Sequence, residues 1–162
     1  MKRRDVLLTG TALLIPGLAM ASDLKTAVQS GDDGNTVEVM ARGLKFVPAI
    51  VFIEPGDTVA WSNMPSHNVE TLDGMVPEGQ EKIESELGAN IAVQFDVEGI
   101  VCYKCTPHWG NRMGGIIVVG SPENPAGIVD RYMEITEEMP QHLPARGLLK
   151  DLREELETRG LA

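Results

Sequence analysis

Cys105, His108 and Met113 place a thiol, an imidazole and a thioether at positions n, n+3 and n+8 of one stretch, Cys102-Tyr-Lys-Cys105-Thr-Pro-His108-Trp-Gly-Asn-Arg-Met113-Gly-Gly. A second imidazole, His67, stands 38 positions before Cys105 in a loop of its own. Two imidazoles, one thiolate and a weak thioether are the ligand set of a copper electron-transfer site. The sulfurs are soft enough to hold Cu(I), and the nitrogens also suit Cu(II). The spacing has Cys105 ending a strand and Thr106-Pro107 bending the chain so that His108 returns to the same metal. Gly110 then frees the loop to turn again, and Met113 approaches along the axis. His67 must come from a different loop, so a bound ion would staple two loops at one end of the domain. Asn68, beside His67, is placed to hydrogen-bond the Cys105 sulfur through its side chain or backbone N–H, tuning the potential and tying the loops together.

Other groups compete for a role. Cys102 and Cys105 form a C-x-x-C pair. A redox disulfide of that spacing needs a turn or a helix start. Here the context is a strand, where positions an odd number apart point to opposite faces. Cys102 therefore reads as a buried free thiol, with an extra metal ligand, a redox thiol or a dimer contact as the alternatives. His142, between Pro140 and Pro144, reads as an exposed loop residue. The chain has three histidines. With two already used, a trinuclear copper cluster or a second, nitrite-reducing copper lacks the imidazoles it needs.

The elements that must position these groups are short strands. Thr36–Ala41, Ala49–Ile53, Thr58–Ser62, Asn68–Thr71, Ile91–Asp96, Gly99–Cys105 and Gly114–Gly120 carry apolar or alternating patterns between turn signals such as Glu54-Pro55-Gly56-Asp57. Phe46-Val47-Pro48 reads as a break, Glu81–Glu86 as a helical turn or an irregular edge, and Trp61 as a core residue. Seven or so such strands make an all-β sandwich or barrel. Past Gly120 the pattern turns helical. Ser121-Pro122 resembles a helix N-cap with proline at the first position, and a short helix is expected around Asn124–Tyr132. A second helix is expected over Ala145–Arg159, with Leu148, Leu149, Leu152 and Leu156 on one face and Gly160 as its C-cap. The leucine stripe would pack on the barrel, with a partner helix or a membrane surface as the alternative.

The first 21 residues have the form of an export signal. A basic Lys2-Arg3-Arg4 precedes an apolar Val6–Leu18, and Ala19-Met20-Ala21 supplies a small-x-small cleavage site. The paired arginines leave the Sec and twin-arginine routes both open. No apolar run is long enough to span a bilayer. The net charge of the chain is −10, and cleavage after Ala21 would make it −12. Such a balance disfavours nucleic acid and anionic membrane surfaces.

Cys105-Thr-Pro-His108-x4-Met113 resembles the copper loop of the cupredoxins, and its length suits both plastocyanins and pseudoazurins. His67-Asn68-Val69-Glu70-Thr71, together with Gly74-Met75-Val76-Pro77-Glu78-Gly79, is similar to pseudoazurin sequences, as is a helical tail after the last strand. The resemblance implies a Greek-key β-sandwich or barrel over residues 22–120, with a C-terminal helical extension, 121–162, packed on it. It also implies one type 1 copper per chain held by His67, Cys105, His108 and Met113, with Asn68 supporting them and no catalytic residue. The expected role is a periplasmic one-electron carrier. His108 would be its electron port, and its partner a nitrite reductase, a cytochrome or a dehydrogenase. The chain departs from that family in its acidic balance, in Trp109 after the second histidine, and in the tail from Ile128 to Pro144. Two other functions use the same residues: a copper chaperone or store, and a thiol or zinc enzyme built on Cys102, Cys105 and His108.

Overall fold

The computed structural model describes residues 34–162. The export signal at 1–21, and all but the last two residues of the polar start at 22–35, lie outside the described residues. The rest forms two four-stranded sheets and a helical layer. One sheet holds β1 (Thr36–Arg42), β2 (Lys45–Val47), β4 (Asp57–Ser62) and β6 (Ile91–Phe95), in the order β2-β1-β4-β6. The other holds β3 (Ile50–Ile53), β5 (Glu70–Thr71), β7 (Gly99–Lys104) and β8 (Gly114–Val119), in the order β3-β8-β7-β5. β1 runs parallel to β4 and β3 to β8, and the remaining pairs are antiparallel.

Side-chain periodicity decides which strand goes where. β1 and β4 alternate, sending Val39, Ala41, Val59 and Trp61 inward and leaving the positions between them exposed or partly exposed. β7 and β8 are apolar almost throughout, because both their faces are covered. Val101, Tyr103, Ile117 and Val119 fill the space between the sheets. Ile100, Cys102, Ile116 and Val118 point the other way, into a second core beneath the helices. That core is closed by α1 (Pro125–Glu138) through Val129, Tyr132 and Ile135, and by α2 (Ala145–Arg159) through Leu149, Leu152 and Leu156. The Tyr132 hydroxyl donates to the Ile100 carbonyl at 2.7 Å, pinning α1 to β7.

α2 matches its expected limits, and Gly160 closes it in the left-handed conformation at φ 69°. Three other expectations change. The break at Phe46–Pro48 is a strand up to Val47, since Phe46 is buried and pairs with Ala41 in a hairpin turned by Gly43. α1 starts at Pro125, one residue from the expected Asn124, but its cap is Asn124 rather than Ser121: the Asn124 side chain accepts the Gly127 N–H at 3.1 Å. It also runs to Glu138, as the buried spacing Val129, Tyr132, Ile135, Thr136 continues past Tyr132. Of the two readings of Glu81–Glu86, the irregular edge holds, with Glu84 making one isolated bridge to Glu70.

Strand direction gathers five segments at one end of the sandwich. These are the β1–β2 turn at Arg42–Lys45, the β2–β3 connection, the loop from Asn63 to Val69, the loop before β6, and Cys105–Met113. Asn63 donates to the Ala41 carbonyl at 2.5 Å, and the Gly88 N–H donates to the His67 carbonyl at 2.9 Å, which ties the Asn63–Val69 loop to the end of β1 and to the loop before β6.

Candidate metal centre

Cys105 follows directly on β7 and caps a short 3-10 helix, Thr106–Asn111, with Pro107 in its first turn. Proline suits that position, where its missing N–H has no acceptor to lose. The His108 N–H returns to the Cys105 carbonyl at 3.1 Å. Arg112 then takes a left-handed conformation, φ 61°, and its N–H donates to the Trp109 carbonyl at 2.8 Å. The loop therefore turns at Arg112, not at the expected Gly110, which keeps a negative φ. The Cys105 N–H donates to the Met113 carbonyl at 2.8 Å, closing the loop on itself. On the other side, the His67 N–H donates to the Met64 carbonyl at 3.0 Å.

These bonds bring His67, Cys105 and His108 together. The Cys105 Sγ lies 3.5 Å from His67 Nδ1 and 3.3 Å from His108 Nδ1, and the two imidazole rings are 4.8 Å apart between centroids. Three donors in a trigonal plane, each about 2.1 Å from one ion, are about 3.6 Å apart. Both sulfur–nitrogen separations are close to that spacing, and the ligand atoms all lie within 4.8 Å of one another, near enough for a single transition-metal ion. Met113 is fully buried in the same inner core and is fixed by its backbone bonds to Cys105 and His108. His67 is 9% exposed, while His108 is half-buried at the surface. Burial, and then the neighbouring His108, hold the His67 pKa below its ordinary value, which favours the neutral ring that a metal ligand needs.

Asn68 does tie the two loops, but through Thr106 rather than the Cys105 sulfur. Its Oδ1 accepts the Thr106 N–H at 2.7 Å, and its Nδ2 donates to Thr106 Oγ1 at 3.1 Å. Thr106 Oγ1 donates in turn to Glu70 Oε2 at 2.5 Å, and Glu70 pairs with Lys104 at 3.0 Å. The amide prefers the backbone N–H because that group would otherwise be an orphan at the start of the 3-10 helix. Thr106, Glu70 and Lys104 escape a reading of the sequence. Their signal is the pairing of Glu70 opposite Lys104 across β5 and β7, which needs the register first.

Cys102 and Cys105 are both free thiols, and they face different cores, as strand parity requires. Cys102 is 2% exposed, faces the helical core away from the clustered donors, and has its thiol pushed well above its usual range by burial. His142 is the clearest correction. It is 3% exposed in a second 3-10 helix, Pro140–His142, and neither ring nitrogen has a hydrogen-bond partner among the described residues. The flanking prolines do not leave it in solvent, because the turn between α1 and α2 folds back onto the sandwich. Trp109 is half-buried against the helical core, with its indole N–H donating to the Gln141 carbonyl at 2.8 Å. Among the described residues no helix is long and apolar enough to cross a membrane.

A model of copper binding proteins of the plastocyanin/azurin family matches residues 34–120. A putative pseudoazurin of Rhizobium leguminosarum bv. viciae is 38% identical over 126 residues, covering 75% of this chain and 76% of that one. The pseudoazurin of Methylorubrum extorquens is 33% identical over 114 residues, covering 66% of this chain and 76% of its own. A solved pseudoazurin structure from Methylobacterium extorquens superposes with a TM-score of 0.54 at 33% identity, over 58% of this chain and 82% of that one. The loop length of Cys105–Met113, which suited two branches, is thereby set beside pseudoazurins over most of the sandwich, and the chain belongs to the plastocyanin/azurin family of copper-binding proteins.

Proposed function

We propose that this chain carries single electrons in the periplasm through one type 1 copper, which His67, Cys105 and His108 would hold strongly and Met113 weakly. The observation that carries this reading is the convergence of two Nδ1 atoms, from two loops, on one Sγ at 3.3–3.5 Å, with the Cys105–Met113 loop closed by its own backbone. A bound copper would supply the one-electron Cu(I)/Cu(II) couple. The protein holds the donors near their final positions, so neither oxidation state has to move them far. It favours a neutral His67, and it buries Cys105 and Met113 away from water. His108 alone of the three clustered donors reaches the surface, which makes its ring edge the port for the electron. The donor or acceptor is a redox protein, with a nitrite reductase, a cytochrome and a dehydrogenase as the candidates.

Adding Cu(II) to the purified chain tests the reading. An intense visible thiolate-to-copper band and a reversible voltammetric couple are expected. Absence of copper binding would sink it. Copper binding without a reversible couple would leave a store or chaperone instead.

A further inference from the structure

Residues 121–162, which the family model leaves unmatched, touch the ligand loop at Trp109, the residue after His108. Its indole N–H donates to the Gln141 carbonyl at 2.8 Å. Gln141 lies in the short 3-10 helix between α1 and α2, whose late carbonyls have few partners of their own. The indole ring also lies over Gly114, the residue after Met113. A methyl group on Gly114 would meet Trp109 Cζ3 at 2.7 Å and Leu148 Cδ1 of α2 at 3.3 Å. Ring and leucine therefore cover the same glycine from two sides. Trp109 sits between the two ligand positions in the backbone as well, since its carbonyl takes the Arg112 N–H and the Met113 N–H turns back to His108.

We propose that Trp109 is a positioning residue through which the C-terminal helical extension sets the placement of His108 and Met113. The proposal rests on the copper reading above. Each contact has a distinct part. The bond to Gln141 fixes the rotation of the residue that follows His108. The packing on Gly114 and Leu148 fixes the height of the strand that follows Met113. The 3-10 helix carrying His108 has no buried residue of its own, so its internal bonds alone give it little to rest on. A half-buried indole gains both a partner for its N–H and a large contact area by docking on another layer. Groups beyond the ligands commonly control metal affinity by roughly 10–100-fold by holding the ligands in place. On this account the extension is part of the metal site's frame, and Gly114, where a Cβ would also meet the Tyr103 carbonyl at 2.6 Å, leaves room for the indole.

The test compares Trp109→Ala, Trp109→Phe and Ile53→Ala in the whole chain. Ile53 is buried in the inner core at the opposite end of the sandwich, so its truncation lowers stability without touching the loop. In the apo-protein, Trp109→Ala is expected to speed amide exchange at Arg112 and Met113 while leaving the β1–β4 pairing protected. Loaded with copper, it is expected to lose roughly tenfold in affinity, to alter the relative intensities of the visible bands and to shift the midpoint potential. Trp109→Phe, which keeps a ring but not the N–H, should fall between Trp109→Ala and the parent. Ile53→Ala should lower the melting temperature and leave spectrum and potential alone. If Trp109→Ala behaves as Ile53→Ala does, the positioning role is overturned. A parent chain that binds no copper would instead refute the carrier reading, and the exchange measurement on the apo-protein would still judge Trp109.

Discussion

Asn68 and Thr106, 38 positions apart, are joined by two hydrogen bonds between one side-chain amide and a neighbouring backbone N–H and hydroxyl. Together they hold the loop of His67 against the loop of Cys105 and His108. Asn68→Ala removes both bonds and leaves the Thr106 N–H without its acceptor. A loss of about 1–2 kcal/mol in the denaturant stability of the apo-protein is expected. Faster release of copper to a chelator should accompany it. Unchanged stability and release would show that the two loops are held by other contacts.

The two cysteines should separate cleanly. Cys105→Ser is expected to abolish the visible thiolate band, and Cys102→Ser to keep it. In native Cys105→Ser protein, the remaining Cys102 should resist an aromatic disulfide reagent until the chain is denatured, because burial keeps its thiol protonated. Rapid labelling of the native variant would contradict that burial.

His142 makes stability depend on pH. Burial first, and then Lys104, hold its folded-state pKa below the ordinary value, while Asp73 and Glu70 oppose the shift. The unfolded chain therefore takes up the proton first. The stabilisation is complete above about pH 6.5, the unfolded value, and is lost as pH falls from there through the folded one. His67 adds a slope of the same sign in the apo-protein, so the comparison must be with a variant. His142→Leu should flatten the fall in urea midpoint between about pH 7.5 and 5.5, leaving the His67 part. An equal slope in both proteins would mean that His142 is not buried neutral.

The helical layer should contribute to global stability. Leu149 is fully buried between α2 and the sheet. Leu149→Ala is expected to cost about 2–5 kcal/mol, read from equilibrium urea unfolding. A loss well under 1 kcal/mol would indicate that α2 rests loosely on β8.

The ligand spacing was legible because one short loop carries three of the four donors and fixes their order. The strands were legible where one face is buried and the alternation shows, as in β1 and β4. β2 was hidden because Pro48 follows it, and a three-residue strand has too little pattern to outweigh a proline. The start of α1 is legible but its cap is not, because two cap-like pairs, Ser121-Pro122 and Asn124-Pro125, follow one another; the bond from the Gly127 N–H to the Asn124 side chain chooses the second. Asn68 was recognised, but whether its amide reaches a sulfur or the next N–H turns on about an ångström. His142 was misjudged because tertiary packing, not its proline neighbours, decides its environment.

Arg42, Lys45 and Arg112 are exposed on the segments gathered at the His108 end, and so are Glu84 and Glu86, while Glu70 is paired with Lys104. That end therefore presents both signs of charge, in a molecule whose net charge is −10. A redox partner would be selected there by a local mosaic of charges rather than by the sign of the whole molecule. Added salt would blur the mosaic.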